Sequence, residues 1–163
     1  EGLTKFGKEC ITRMEELGIL LDLSHASHKM IQDALHMAKK PVVFSHTGVR
    51  GAHESDRNID DTLFPLIRKN GGVIGIGFWK DAVGRADVGS IVKSIRYVAT
   101  HVGIDHVGLG SDFDGTVITP FDCSGMGLVT EGLLEEGFTP EEIEKIMGKN
   151  VLRVLYQTLP GKD

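Results

Sequence analysis

Four short apolar runs punctuate the chain, at residues 19–25, 41–46, 72–77 and 106–112. Each is mostly apolar and rich in β-branched residues or glycine. A continuous apolar run, rather than an apolar/polar alternation, is what a strand buried on both faces requires. The stretches between them have helical spacing. Leu3, Phe6, Cys10, Ile11, Met14 and Leu17 predict a helix packed on the sheet, with Gly18 as its stop. The first strand is expected at residues 19–23. Ser27 is placed to cap a helix running to about Ala38, with Met30, Ile31, Ala34, Leu35 and Met37 as its apolar positions, Lys39 and Lys40 at its negative end and Pro41 after it.

The later segments repeat the pattern. A short helix is expected over residues 62–69, a turn at Asn70 and Gly71, and a helix over 90–101 carrying Ile91, Ile95, Val98 and Ala99 on one side. An apolar helix around 128–136 follows. Thr139, Pro140, Glu141 and Glu142 then read as a helix start, with a hydroxyl cap, proline at the first position and acids in the first turn. Ile143, Ile146, Met147, Val151, Leu152, Val154 and Leu155 are expected to pack that last helix down. The chain therefore reads as strand and helix repeated four times: an α/β fold with a parallel sheet, one unit over residues 1–163. Two long loops, 47–61 and 116–126, follow strand ends, and loops of that length inside compact domains are usually functional.

Composition narrows the class. A net charge of -5 with no basic tract argues against nucleic acid and anionic membrane surfaces as partners. No apolar run approaches the roughly 20 residues of a membrane span. Cys10 and Cys123 are too few and too far apart for a disulfide framework or a zinc cluster, and read as reduced thiols of a cytoplasmic protein. Length sets a tension. Four βα units make half of an eight-stranded barrel, which takes about 250 residues, whereas this chain has 163.

In parallel α/β sheets chemistry gathers at the carboxyl ends of strands, and there stand His25, His46 and Asp112. Equivalent positions on neighbouring strands lie about 4.8 Å apart, so two imidazoles can share one divalent ion, with zinc the natural guess. Asp112 could act as general base or acid on a metal-bound water. Arg57, in the loop after His46, could clamp a carboxylate with two parallel hydrogen bonds, and Arg50 competes for that role. Asp22 is out of phase with His25 and reads as structural; His28, His36, His53, His101 and His106 read as surface or core residues. Asp112, Asp114 and Gly115 lack the remaining ligands of a calcium loop, and His53-Glu54 meets Arg57 where a zinc-protease helix needs its second histidine. Phosphate-loop, dinucleotide and serine-hydrolase fingerprints are also absent.

Asp22-Leu-Ser-His25, Phe44-Ser-His46 followed by Arg57-Asn58, Gly110-Ser-Asp112-Phe-Asp-Gly115 and Gly148-Lys-Asn150-Val-Leu-Arg153 together resemble the membrane (renal-type) dipeptidases. The resemblance implies an amidohydrolase-like (β/α)8 TIM barrel with two zinc ions that cleaves dipeptides. By that resemblance His25 and His46 hold one zinc, Asp112 handles the proton of the attacking water and Arg57 binds the dipeptide carboxylate. The family's His-X-Asp pair occurs nowhere in these residues, so the chain reads as the carboxyl-terminal half of the barrel, about four βα units with at most half of the metal site. The missing amino-terminal half, on the same or a separate chain, becomes an expected partner, and exposed sheet edges invite association, including a homodimer. Two alternatives share the residues: another hydrolase of the superfamily acting on cyclic amides or esters, and an inactive half-barrel serving as a binding or assembly module.

Overall fold

A computed structural model describes residues 1–161. Three parallel strands form its sheet in the order of the sequence: β1 (Val43–Thr47), β2 (Val73–Ile76) and β3 (Val107–Leu109). Val43 pairs with Val73, and Ile74 with Val107, so the strands start in register. Every residue of β2 is buried, as a central strand covered on both faces demands. Phe44, Ile74, Ile76 and Val107 make the sheet's share of the core.

Helices α1 (Lys5–Glu16) and α2 (His28–Met37) precede β1; α3 (Phe64–Asn70) leads into β2; α4 (Lys80–Val83) and α5 (Val88–His101) lead to β3; α6 (Met126–Glu135), α7 (Pro140–Glu144) and α8 (Asn150–Thr158) close the chain. Local chemistry explains their bounds. The Ser27 hydroxyl accepts the Met30 amide at the start of α2. Thr139 and Glu142 close a reciprocal capping box at α7. Gly71, with φ of 83°, ends α3 in the left-handed conformation that glycine adopts without strain. Among the described residues no helix is long and apolar enough to cross a membrane.

Several expectations need correction. The strand expected at 19–23 contracts to a single bridge, Asp22 to Val43. Val43 donates to the Leu21 carbonyl and Leu23 to the Val43 carbonyl, but the next donor, the Ser45 amide, turns to the Asp22 carboxylate at 3.1 Å. A side chain takes the place of the ladder. The strand expected to reach Asp112 stops as regular structure at Leu109, with one further ladder bond from the Gly110 amide to the Ile76 carbonyl. The loop after β2 contains the single turn α4. The closing helix is not one helix, because Gly148 leaves helical dihedrals and a π-type turn, Lys145–Lys149, joins α7 to α8. Leu152, expected to pack inward, is 48% exposed, and on α1 only Ile11 is buried while Phe6 and Leu17 face outward.

Candidate active site

His46 stands near the carboxyl end of β1 and His25 in the turn that follows the Asp22 bridge. His25 has a φ of 64°, left-handed backbone that non-glycine residues seldom adopt. That turn swings its ring toward β1. The two imidazoles meet edge to face, centroids 5.0 Å apart, and their Nε2 atoms approach to 2.9 Å.

Asp112 follows β3 and also has a left-handed φ, 58°. Its segment crosses close to β1. A Cβ added at Gly110 would lie 2.2 Å from the Ser45 carbonyl oxygen, so only glycine fits there. Asp112 thereby lines, with His25 and His46, one open depression of about 570 Å³. The structure brings these three sequence-predicted residues to one place.

Arg57 joins them from the loop after β1. Its Nη2 lies 3.0 Å from His25 Nε2 and its Cζ 5.8 Å from the centroid of Trp79, whose ring is 6.1 Å from that of His46. Asn58 holds the loop in place: buried, it donates from Nδ2 to the carbonyls of His53 and Ala82. Arg50 is oriented differently, ringed by Glu54, Asp56 and Asp60 at 3.8, 3.3 and 3.8 Å. Three acids compensate its charge, which leaves Arg57 as the better-placed cation. His25 and Arg57 line a second cavity of about 390 Å³. His36, His101 and His106 each donate Nδ1–H to a main-chain carbonyl at 2.8 Å, as structural histidines do.

Sequence reasoning missed Trp79, Ser24 and Ser45. Asp22, read from the sequence as structural, organises the backbone around both histidines. It accepts the Ser24 amide at 3.0 Å, the Ser45 amide at 3.1 Å and the Ser45 hydroxyl at 2.5 Å, and Ser45 Oγ lies 2.9 Å from His46 Nδ1. Burial alone would raise the Asp22 pKa, but these hydrogen bonds outweigh it and hold the carboxyl below its usual value. The available signal was the Ser-His dipeptide repeated at both histidines.

Partial burial, then the charge of Arg57, lowers the His25 pKa and favours the neutral, ligating form of the ring. A cation already sits against its Nε2, namely the Arg57 guanidinium. The donor set thus fits a metal ion but does not complete its shell. Among the described residues no three His, Cys, Asp or Glu side chains gather around one point, and a catalytic zinc takes three protein ligands.

The family description that matches residues 1–160 is membrane dipeptidase, peptidase family M19. An uncharacterized dipeptidase of Schizosaccharomyces pombe is 37% identical over 166 residues, covering 96% of this chain and 40% of the relative. Dipeptidase tcpJ of Claviceps purpurea is 38% identical over 164 residues, covering 96% and 38%. Among solved structures, the M19 metallopeptidase dipeptidase AC superposes with a TM-score of 0.91 at 27% identity, over 99% of this chain and 49% of that one. A metallopeptidase of Rhodobacter sphaeroides, liganded with a phosphinate mimic of L-Ala-D-Ala, gives 0.90 at 28%, over 97% and 48%. The chain spans about 40% of the curated relatives' length and about half of these structures.

Proposed function

The chain belongs to the membrane dipeptidase family, peptidase family M19, and from that premise we propose that it carries part of the active site of a zinc-dependent dipeptidase. The observation that carries this reading is the convergence of His25 and His46, Nε2 to Nε2 at 2.9 Å, on the depression that Asp112 also lines. In this reading residues 1–163 form one unit of a (β/α)8 barrel and supply four of its staves. The parallel sheet, its open edge at the Asp22 bridge and the outward apolar Phe6, Leu17 and Ile19 support it. Further metal ligands come from the remainder of the barrel.

His25 and His46 would hold one of two zinc ions. Zinc, when bound, supplies Lewis acidity and makes water a nucleophile near neutral pH. Asp112 takes a proton from the attacking water and delivers it to the departing amine, a transfer worth typically 10²–10⁴ in rate for a positioned side chain. Arg57 pairs with the free carboxylate of the dipeptide, while Trp79 supports the guanidinium from its face. The substrate class is a dipeptide, including those ending in a D-residue; the Rhodobacter relative's ligand mimics L-Ala-D-Ala, and a phosphinate has the tetrahedral shape of an attacked peptide bond.

The test is an assay of the complete gene product on L-Ala-D-Ala, on a cyclic amide and on a lactone, before and after chelation. Dipeptide hydrolysis that chelator abolishes and zinc restores is the expected result. Turnover of the cyclic substrates alone assigns a different hydrolase of the superfamily. A melting temperature indifferent to zinc, with no turnover, assigns a non-catalytic module.

A further inference from the structure

An imidazole can ligate through Nε2 only if its other nitrogen carries the proton, so the partner of His46 Nδ1 decides whether the ring is ready. We propose that Ser45 is a positioning residue that fixes the His46 tautomer, accepting Nδ1–H and passing its own proton's hydrogen bond to Asp22, so that Nε2 presents its lone pair to the depression. This rests on the reading of His46 as a metal ligand.

The donors and acceptors allow one assignment. Three donors converge on Asp22, from the Ser24 and Ser45 amides and from Ser45 Oγ, so its carboxylate acts as acceptor throughout. Ser45 has a single hydroxyl proton and spends it on Asp22 Oδ2, at the 2.5 Å of a charge-assisted bond. Toward its other neighbours Ser45 Oγ must accept. His46 Nδ1, 2.9 Å away, therefore carries a hydrogen. Ser24 Oγ, 3.2 Å away, donates as well, and is free to do so because its own lone pair takes the His46 amide at 3.1 Å. Every proton in the set has one place. Neutral imidazole with a proton on Nδ1 leaves Nε2 unprotonated.

The opposite ring points the same way. Arg57 Nη2 donates to His25 Nε2, so that nitrogen carries no proton and has none to give His46 Nε2. With neither Nε2 protonated, no hydrogen lies between the two nitrogens 2.9 Å apart, and an ion taking the place of the Arg57 guanidinium at His25 would be shared by both rings. Asp22 is thus wired to the site without touching it: the carboxylate orients the serine, and the serine orients the ring. Such partners of metal-binding histidines matter about 10–100-fold in affinity.

Asp22→Asn is the decisive variant because it keeps shape. Its Oδ1 still accepts both backbone amides, but its Nδ2 now donates to Ser45 Oγ. The hydroxyl then donates to His46 Nδ1, and the ring proton moves to Nε2. Long-range ¹H–¹⁵N correlation spectra of the metal-free complete protein, labelled at histidine, read the tautomer directly, and a competition titration with a chromophoric chelator reads zinc affinity. Expected are Nδ1–H at His46 in the parent, Nε2–H in Asp22→Asn, a roughly 10–100-fold loss of zinc affinity in Asp22→Asn and Ser45→Ala, and rescue of both readouts in Ser45→Thr. An unchanged tautomer and unchanged affinity in Asp22→Asn and Ser45→Ala overturn the relay. A parent protein that shows the Nδ1–H tautomer yet binds no zinc overturns the metal reading and leaves the relay standing.

Discussion

The guanidinium of Arg57 lies against the ring of Trp79, its Cζ 5.8 Å from the centroid, while its Nη2 reaches His25 Nε2 at 3.0 Å. One residue of the polar loop thus touches both the aromatic wall and a candidate ligand. A planar cation held between an aromatic ring and an imidazole keeps its fork directed without spending many rotamers. If Arg57 receives the substrate carboxylate, Arg57→Lys should raise KM about tenfold or more with a smaller change in kcat, since lysine keeps the charge but loses the fork. Arg57→Ala should raise KM further. Steady-state kinetics on a dipeptide decide, and an unchanged KM removes Arg57 from the role.

Asp112 and the two histidines line the same depression, but the carboxylate is assigned to proton transfer rather than to metal binding. Asp112→Asn keeps the size and the polar contacts while losing the basicity. Its zinc content, measured by mass spectrometry of the metal, should equal that of the parent. Its kcat should fall by about 10²–10⁴. Loss of zinc together with activity would instead make Asp112 a ligand.

Much of the scaffold could be read before any coordinates. Ser27 and Pro41 bracket α2, and Thr139, Pro140 and the acids after them mark the start of α7, where the structure adds a capping box, because caps are local chemistry. The convergence of His25, His46 and Asp112 was legible for another reason: parallel strands present their carboxyl ends on one side. What escaped was tertiary. Nothing in the run at residues 19–23 announces that the Asp22 side chain replaces the ladder and ends the strand. Trp79 belongs to none of the sequence motifs, although its ring flanks both Arg57 and His46. Leu152 lies two residues before the buried Val154, about 200° away around α8, and so falls on its exposed side; the π-type turn at Lys145–Lys149 that joins α7 to α8 was equally unannounced.

That same turn has a fixed anchor. Asn150 is buried at the start of α8 and donates from Nδ2 to the carbonyls of Ile104 and Val107, at 2.7 and 2.8 Å. It ties the last helix to the entrance of β3. Asn150→Leu leaves two buried carbonyls without donors and should cost about 2–4 kcal/mol, at 1–3 kcal/mol per unsatisfied group and with partial relaxation. Thermal unfolding monitored by circular dichroism measures it. A loss below half a kcal/mol would mean that water reaches both carbonyls.

Helix α5, which covers β2 and β3 with Ile91, Ile95 and Val98, starts at an ionisable cap. Asp87 accepts the Ser90 amide at 2.8 Å and also pairs with Arg85. The Ser90 hydrogen bonds first, and Arg85 after them, hold its carboxyl below the ordinary value. The folded state therefore binds this proton more weakly than the unfolded chain does. Its stabilisation is complete above the unfolded pKa, near 3.9, and is lost as pH falls through the lower folded value. Asp87→Ala should cost about 1 kcal/mol at pH 7, and that difference should shrink as both proteins are acidified below pH 4. Asp87→Asn, which retains an accepting oxygen, should sit close to the parent at pH 7. Melting curves of the three proteins at pH 7 and pH 3 test the sign, and an alanine penalty equal at both values would show that the cap acts without its charge.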